Sequence, residues 1–168
     1  MLVASLLAVV LSAVLLFGEA TQRLAPRDQE RTHVIREAQV GLHRMTTELR
    51  KAHLVNDRGS YFMDVQVRVN GIDTRVRYEC DTPHPVEPAY RRCLRFVNGG
   101  ATGDLVVDRV LNAADVPPDP VFTYTTDGGG NVAYVEARVE LPARGDLKSG
   151  HGHRITYADG FYPRNLGV

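Results

Sequence analysis

An apolar segment opens the chain: residues 1–18 carry no charged side chain, and Glu19 is the first ionisable one. As a helix, this segment would rise about 27 Å, close to the roughly 30 Å thickness of a bilayer's hydrocarbon core. A buried core helix is disfavoured, because every face is apolar and nothing downstream is apolar enough to surround it. A secretory signal peptide cleaved near Ala20 is the alternative, but it lacks a basic start, so we favour a retained membrane helix.

A stripe of small residues runs along one side of this predicted helix. Ala4, Ala8 and Ser12 recur every four residues, and small side chains let a second helix approach closely in lipid. The same spacing also occurs in membrane helices of ordinary composition. The stripe is the predicted surface for helix–helix packing.

Beyond Glu19 the chain is amphipathic with a helical period. Spacings of three and four residues place one apolar set on a single face: Ile35, Ala38, Leu42, Met45, Leu49 and Ala52. Charged residues lie between them, and residues 56–59, Asn-Asp-Arg-Gly, supply an end signal. We therefore expect one helical rod from residue 1 to about 55, kinked or interrupted at Pro26, with its second half packed against the rest of the chain.

From residue 61 the hydrophobic period changes from 3.6 to 2, which predicts strands. Asn70-Gly71 separates two alternating runs and is a strong hairpin signal. Further strands are predicted at Cys93–Val97, Leu105–Leu111, Val121–Thr125, Val132–Leu141 and Arg154–Tyr157. No helical crossover pattern connects them, so the predicted class is α+β: a long N-terminal helix packed across a small antiparallel sheet. The predicted parts are a membrane helix at 1–18, its amphipathic continuation at 19–56 and a β domain at 57–168.

Charge and composition narrow the range of partners. The chain has 168 residues with 20 basic and 20 acidic side chains, so its formal net charge is zero. That balance argues against nucleic-acid binding, which draws on an excess of cationic side chains. Hydrophobic residues make up 43% of the chain; they are densest in the first 18 residues, and the remainder is distinctly polar.

The two cysteines, Cys80 and Cys93, flank a segment that contains three prolines. A disulfide at the base of this loop would contribute roughly 3 kcal/mol in the chain-entropy model. Such a bond needs an oxidising compartment, which agrees with a β domain outside the cytoplasmic membrane. Two unpaired buried thiols are the alternative.

The sequence contains only weak candidates for catalytic residues. His151 and His153 could share one side of a strand and bind a metal, but no carboxylate or cysteine ligand is near, so a solvated loop is favoured. The glycines at 128–130 lack the Lys-Ser/Thr of a phosphate-binding loop and indicate a turn. A cluster of Arg91, Arg92 and Arg95 is either an anionic contact or, as we favour, a solvated strand edge. We expect neither an enzyme nor a bound cofactor.

Three short motifs resemble those of type IV pilin-like proteins, the minor pilins and the pseudopilins of type II secretion and competence systems. Residues 36–52 contain the core R-M-T-T-E-L-R, which is similar to a helix segment of the larger minor pseudopilins. Residues 120–124, P-V-F-T-Y, resemble their P-x-F-x-Y strand, and residues 164–166 resemble their closing R-N-L. Together the motifs extend over nearly the whole chain.

The resemblance implies a structural subunit held in the cytoplasmic membrane by a single span, with its C-terminal domain extracytoplasmic, and later packed into an envelope filament. The implied partners are other pilin or pseudopilin subunits, membrane lipid before assembly, an assembly platform and a prepilin peptidase. Family members carry a basic leader and a run like F-T-L-x-E before the apolar helix, for N-terminal cleavage and methylation. Here the chain opens at the equivalent of the next residues, so either Met1 is an internal methionine, as we favour, or the family's processing site is absent. The segments 81–92 and 142–153 are expected to contact partners.

Overall fold

A computed structural model describes residues 32, 35–142 and 154–163. The stripe of Ala4, Ala8 and Ser12, the histidines at 151 and 153 and the closing R-N-L motif lie outside the described residues. Within the described ranges, no helix has the combined length and apolar character needed to cross a bilayer.

One helix, α1 (residues 35–49), precedes eight strands that form two antiparallel sheets. The strands are β1 (Ala52–Arg58), β2 (Phe62–Val69), β3 (Ile72–Pro83), β4 (Arg91–Val97), β5 (Asp104–Val110), β6 (Phe122–Thr126), β7 (Val132–Pro142) and β8 (Arg154–Phe161). The first five form a meander in the order β1-β2-β3-β4-β5, and the last three form a second meander in the order β6-β7-β8. A 3-10 turn at Asn112–Ala114 lies on the connection between the sheets.

The predicted fold class, a long helix on a small sheet, is wrong: the described chain is mostly β, with one short helix. The helix ends at residue 49, where Arg50 N donates to Thr46 O (2.9 Å) and Lys51 N donates to Glu48 O (3.0 Å). Beyond this turn, Ala52–Arg58 pairs with β2 and contains His, Val, Asn and Asp, which are weak helix formers. Ala52 fits the helical spacing, but it is buried as the first residue of β1. An apolar residue at position 52 is expected of a helix and of a strand alike, and the helix was therefore predicted to extend too far.

The hairpin predicted at Asn70-Gly71 is confirmed and connects β2 to β3. Both residues have positive φ, 51° and 82°, which Asn and Gly tolerate and which a two-residue turn of this hand requires. The same dipeptide at Asn98-Gly99 follows β4, with φ of 51° and 72°. The first turn fixes the register of β2 and β3, in which Val69 pairs with Ile72, and the second turn lies on the connection between β4 and β5, in which Arg95 pairs with Asp104.

The core lies between α1 and the inner faces of both sheets. Four predicted helix residues are buried in it, namely Ala38, Leu42, Met45 and Leu49, whereas Ile35 is half-buried. They share one hydrophobic cluster with residues of the first sheet, such as Val65 and Tyr78, and of the second sheet, such as Val135 and Phe161. The helix therefore packs against two sheets rather than against one.

Candidate functional site

An ion pair joins Glu48 of α1 to Arg95 on β4. Arg95 donates from Nε to Glu48 Oε2 (2.7 Å) and from Nη2 to Oε1 (2.6 Å), a two-pronged geometry that is stronger than a single contact. Tyr78 on β3 donates its hydroxyl to the same Oε2. Because the Glu48 and Arg95 side chains are only 18% and 13% exposed, water screens this pair poorly.

The protonation states of the three groups follow from their surroundings. Burial raises the pKa of Glu48, but the hydrogen bonds from Arg95 and Tyr78 outweigh burial and hold that pKa below its ordinary value. Burial, and then the hydrogen bond to Glu48, raises the pKa of Tyr78 strongly. At neutral pH, therefore, a carboxylate accepts from a guanidinium and a neutral phenol.

A second set of contacts ties α1 to the other sheet. The Thr46 hydroxyl donates to Asp159 Oδ2 at 2.6 Å, and Gln39 Nε2 donates to the Tyr157 hydroxyl at 3.2 Å. Both acceptors lie on β8. The helix is thus fastened by polar side chains to the first sheet through Glu48 and to the second through Thr46 and Gln39.

The backbone of α1 approaches β5 closely at Gly41. A Cβ atom built on Gly41 would lie 2.0 Å from the carbonyl oxygen of Val106, far inside van der Waals contact. Only glycine fits at this position, which explains a residue that otherwise weakens a helix interior.

The predicted disulfide between Cys80 and Cys93 is confirmed, and it joins β3 to β4. Both cysteines are fully buried. The bond closes the base of the loop predicted to contact partners, and the far side of that loop contacts β5, where Arg109 Nε lies 2.9 Å from Glu87 Oε2. This loop is therefore held at its base by a covalent bond and along its length by polar contacts.

The basic cluster does not lie on a strand edge, as we had favoured, because β4 is paired with β3 on one side and with β5 on the other. Arg95 binds Glu48, Arg92 Nε lies 3.5 Å from Asp108 Oδ1, and Arg91 donates to the carbonyl of Pro88. The acidic partners of Arg92 and Arg95 are distant along the chain, so no local pattern indicated them.

A further polar junction that the sequence did not indicate joins the two sheets. Buried Asn112 donates to the carbonyls of Pro120 (3.3 Å) and Arg138 (3.0 Å), while its Oδ1 accepts from Glu140 N (3.2 Å). Beside it, Leu111 N donates to Glu140 O at 2.8 Å. The 3-10 turn thus replaces the missing strand pairing between the sheets.

Among the residues that the structure describes, no group of three or more His, Cys, Asp or Glu side chains could hold a metal ion. What the described part presents is a mostly β head with one helix fastened across it. No protein-family model matches the chain, and neither a curated protein nor a solved structure matches it. Its function is therefore inferred from its own residues.

Proposed function

We propose that this chain is a non-enzymatic structural subunit of a type IV pilin-like filament, a minor pilin or pseudopilin. Residues 1–18 anchor it in the cytoplasmic membrane before assembly and pack among the equivalent helices of neighbouring subunits afterwards. Exchanging lipid for protein helices costs little hydrophobic free energy, so packing and specific contacts decide whether the helix leaves the bilayer for the filament. The β head lies outside the cytoplasmic membrane.

The observation that supports this proposal most is the role of the motif residues that carry the resemblance. In R-M-T-T-E-L-R, Met45 and Leu49 are buried against the sheets, and Glu48 makes the ion pair to Arg95. A filament subunit needs such a junction, because any pull on the N-terminal segment must reach the head through the helix.

The strand motif P-V-F-T-Y has a matching role at the second sheet. Phe122 is buried in the core, and the Tyr124 hydroxyl donates to the carbonyls of Gly59 (3.1 Å) and Phe62 (3.0 Å) near the β1–β2 turn. The motif therefore fastens β6 to the first sheet. Together the two motifs make the head a single unit behind one helix.

The disulfide supports the proposed side of the membrane. Disulfides persist in oxidising compartments such as the periplasm and are rare in the cytosol. With Cys80 and Cys93 bonded, a new cysteine elsewhere in the chain becomes a selective probe.

The proposal is tested by cross-linking in the native host with a cysteine placed at Ala8. Ala8→Cys lies on the small-residue stripe, whereas the matched control Val10→Cys lies about 200° around a helix from it. We expect oxidation to join Ala8→Cys subunits to one another or to other small membrane proteins several times more efficiently than Val10→Cys subunits. Equal cross-linking of both variants would contradict packing through the stripe.

The mass of the mature protein from the same cells separates the proposal from its alternative. A filament subunit retains residues 1–18. A secreted β-rich binding domain, released by cleavage near Ala20, would be recovered from the medium without them, and that result would overturn the proposal.

A further inference from the structure

A histidine organises the loop between β3 and β4. His84 Nδ1 lies 2.9 Å from the backbone nitrogen of Glu87 and 3.3 Å from that of Val86. Backbone bonds reinforce this arrangement, since His84 N donates to Tyr90 O (3.2 Å) and Tyr90 N donates to Glu87 O (3.0 Å). With its side chain only 9% exposed, the imidazole forms the centre of the folded loop.

These contacts specify the protonation state of the ring. A backbone nitrogen can only donate, so Nδ1 must accept and cannot carry a proton. The single proton of the neutral ring then lies on Nε2, which faces Asp108 Oδ2 at 3.4 Å. An imidazolium carries protons on both nitrogens, so it cannot coexist with the bonds from Val86 and Glu87.

Charged groups surround the ring from the loop and from two strands. On β5, the Asp108 carboxylate favours a cationic ring. The positive charge of Arg109, also on β5, disfavours a cationic ring, and the negative charge of its partner Glu87 in the loop offsets that effect. On β4, Arg92 lies 3.5 Å from the same Asp108 carboxylate and reduces its pull on the ring. The Tyr90 and His84 rings lie edge to face, with the centroids 6.4 Å apart.

We propose that residues 84–90 form a pH-sensitive switch, closed by neutral His84 and opened when acid adds a proton to Nδ1. In the open form the imidazolium keeps Asp108 as its partner and releases the backbone of Val86 and Glu87. Histidine is the side chain that ordinarily gains a proton in the mildly acidic range. The open form binds one proton that the closed form excludes, so lowering the pH favours opening.

The change is confined by its surroundings. The buried disulfide holds the ends of the loop, and β3 and β4 remain paired through Thr82 with Arg92 and Pro83 with Arg91. Only the segment between these anchors is released. Its exposed apolar residue, Val86, is 80% exposed in the closed form, so opening repositions an apolar side chain at the head surface.

The switch is tested by nuclear magnetic resonance on the full chain in detergent micelles. At neutral pH, long-range proton–nitrogen spectra should show the His84 proton on Nε2 and a bare Nδ1. As His84 titrates, hydrogen-exchange protection of the Glu87 amide, corrected for intrinsic exchange, should fall by up to about tenfold per pH unit. The proposal would be overturned by a proton on Nδ1 at neutral pH, or by protection of the Glu87 amide that does not change as His84 titrates.

A substitution that keeps the acceptor without the titration provides the complementary test. In His84→Asn, the side-chain oxygen takes the place of Nδ1 and gains no proton, so the Glu87 amide should stay protected in acid. His43→Asn, at an exposed histidine of α1, is the matched control and should leave the acid-induced loss unchanged. Equal losses in the wild type and His84→Asn would assign the opening to another group.

Discussion

At the scale of single residues, one carboxylate decides how firmly α1 is held. Glu48 accepts from Arg95 and Tyr78 at once, and all three side chains are largely shielded from water. Removing one partner of such a group costs more than the pair contributes, because the other charge stays behind without compensation.

Glu48→Gln is therefore expected to lower the free energy of unfolding by about 2 kcal/mol at pH 7. The folded-state pKa of Glu48 is held below its ordinary value of 4.5. The charge of Glu48 thus contributes its full stabilisation above the pKa that Glu48 has in the unfolded chain, and this stabilisation is lost as the pH falls through the folded-state pKa. Urea unfolding of both proteins across this range should show the difference shrinking in acid.

Glu136→Gln on β7 is the matched control, because the half-buried Glu136 makes none of these contacts. It should change the free energy of unfolding little at any pH. A difference between wild type and Glu48→Gln that stays constant down to low pH would mean that shape, not charge, accounts for the effect.

At the scale of elements, the position of α1 is set by a close approach of backbones as well as by its apolar face. The helix can lie this near to β5 only because Gly41 leaves room for the Val106 carbonyl. An apolar face alone would permit the helix to slide along the sheet, whereas this contact and the Thr46–Asp159 hydrogen bond fix its position.

Gly41→Ala should destabilise the protein by about 1–3 kcal/mol, because the added methyl forces helix and strand apart. Alanine favours the helix by about 1 kcal/mol over glycine. A net loss of stability would therefore show that the clash with β5 outweighs this gain. Gly128→Ala is the control, since a Cβ there meets nothing within 4 Å. Thermal unfolding of the two variants beside the wild type measures the difference, and a more stable Gly41→Ala protein would contradict the contact.

Local signals explain which features of these elements were predictable. The 3-4 spacing of Ala38, Leu42 and Met45 identified the buried face of the helix, and Asn70-Gly71 identified a hairpin, since both are written within a few residues. The end of the helix was missed because Ala52 satisfies a helical and a strand pattern equally. The Glu48–Arg95 pair was missed because 47 residues separate its members.

In the molecule as a whole, the two sheets can unfold either together or as separate units. They share one hydrophobic cluster beneath α1, and Asn112, on the connection that follows β5, is bonded to Arg138 and Glu140 of β7 and to Pro120 just before β6. Nothing in the period of the strands indicated a division between β5 and β6, because a meander continues locally in the same way whether or not the next strand joins the same sheet.

We expect the two sheets to unfold in one cooperative transition, because neither has a core of its own once the shared cluster is broken. Hydrogen exchange in increasing urea should show peptides of β2–β4 and of β6–β7 losing protection together.

Asn112→Ala leaves the Glu140 amide and two carbonyls without their partner, so it should destabilise the protein by roughly 2–3 kcal/mol. If the sheets act as one body, this loss appears equally in both sets of peptides. If the β6–β7 peptides alone exchange earlier, the second sheet is a separately unfolding unit, and a pull on α1 would reach it through β8 rather than through the shared core.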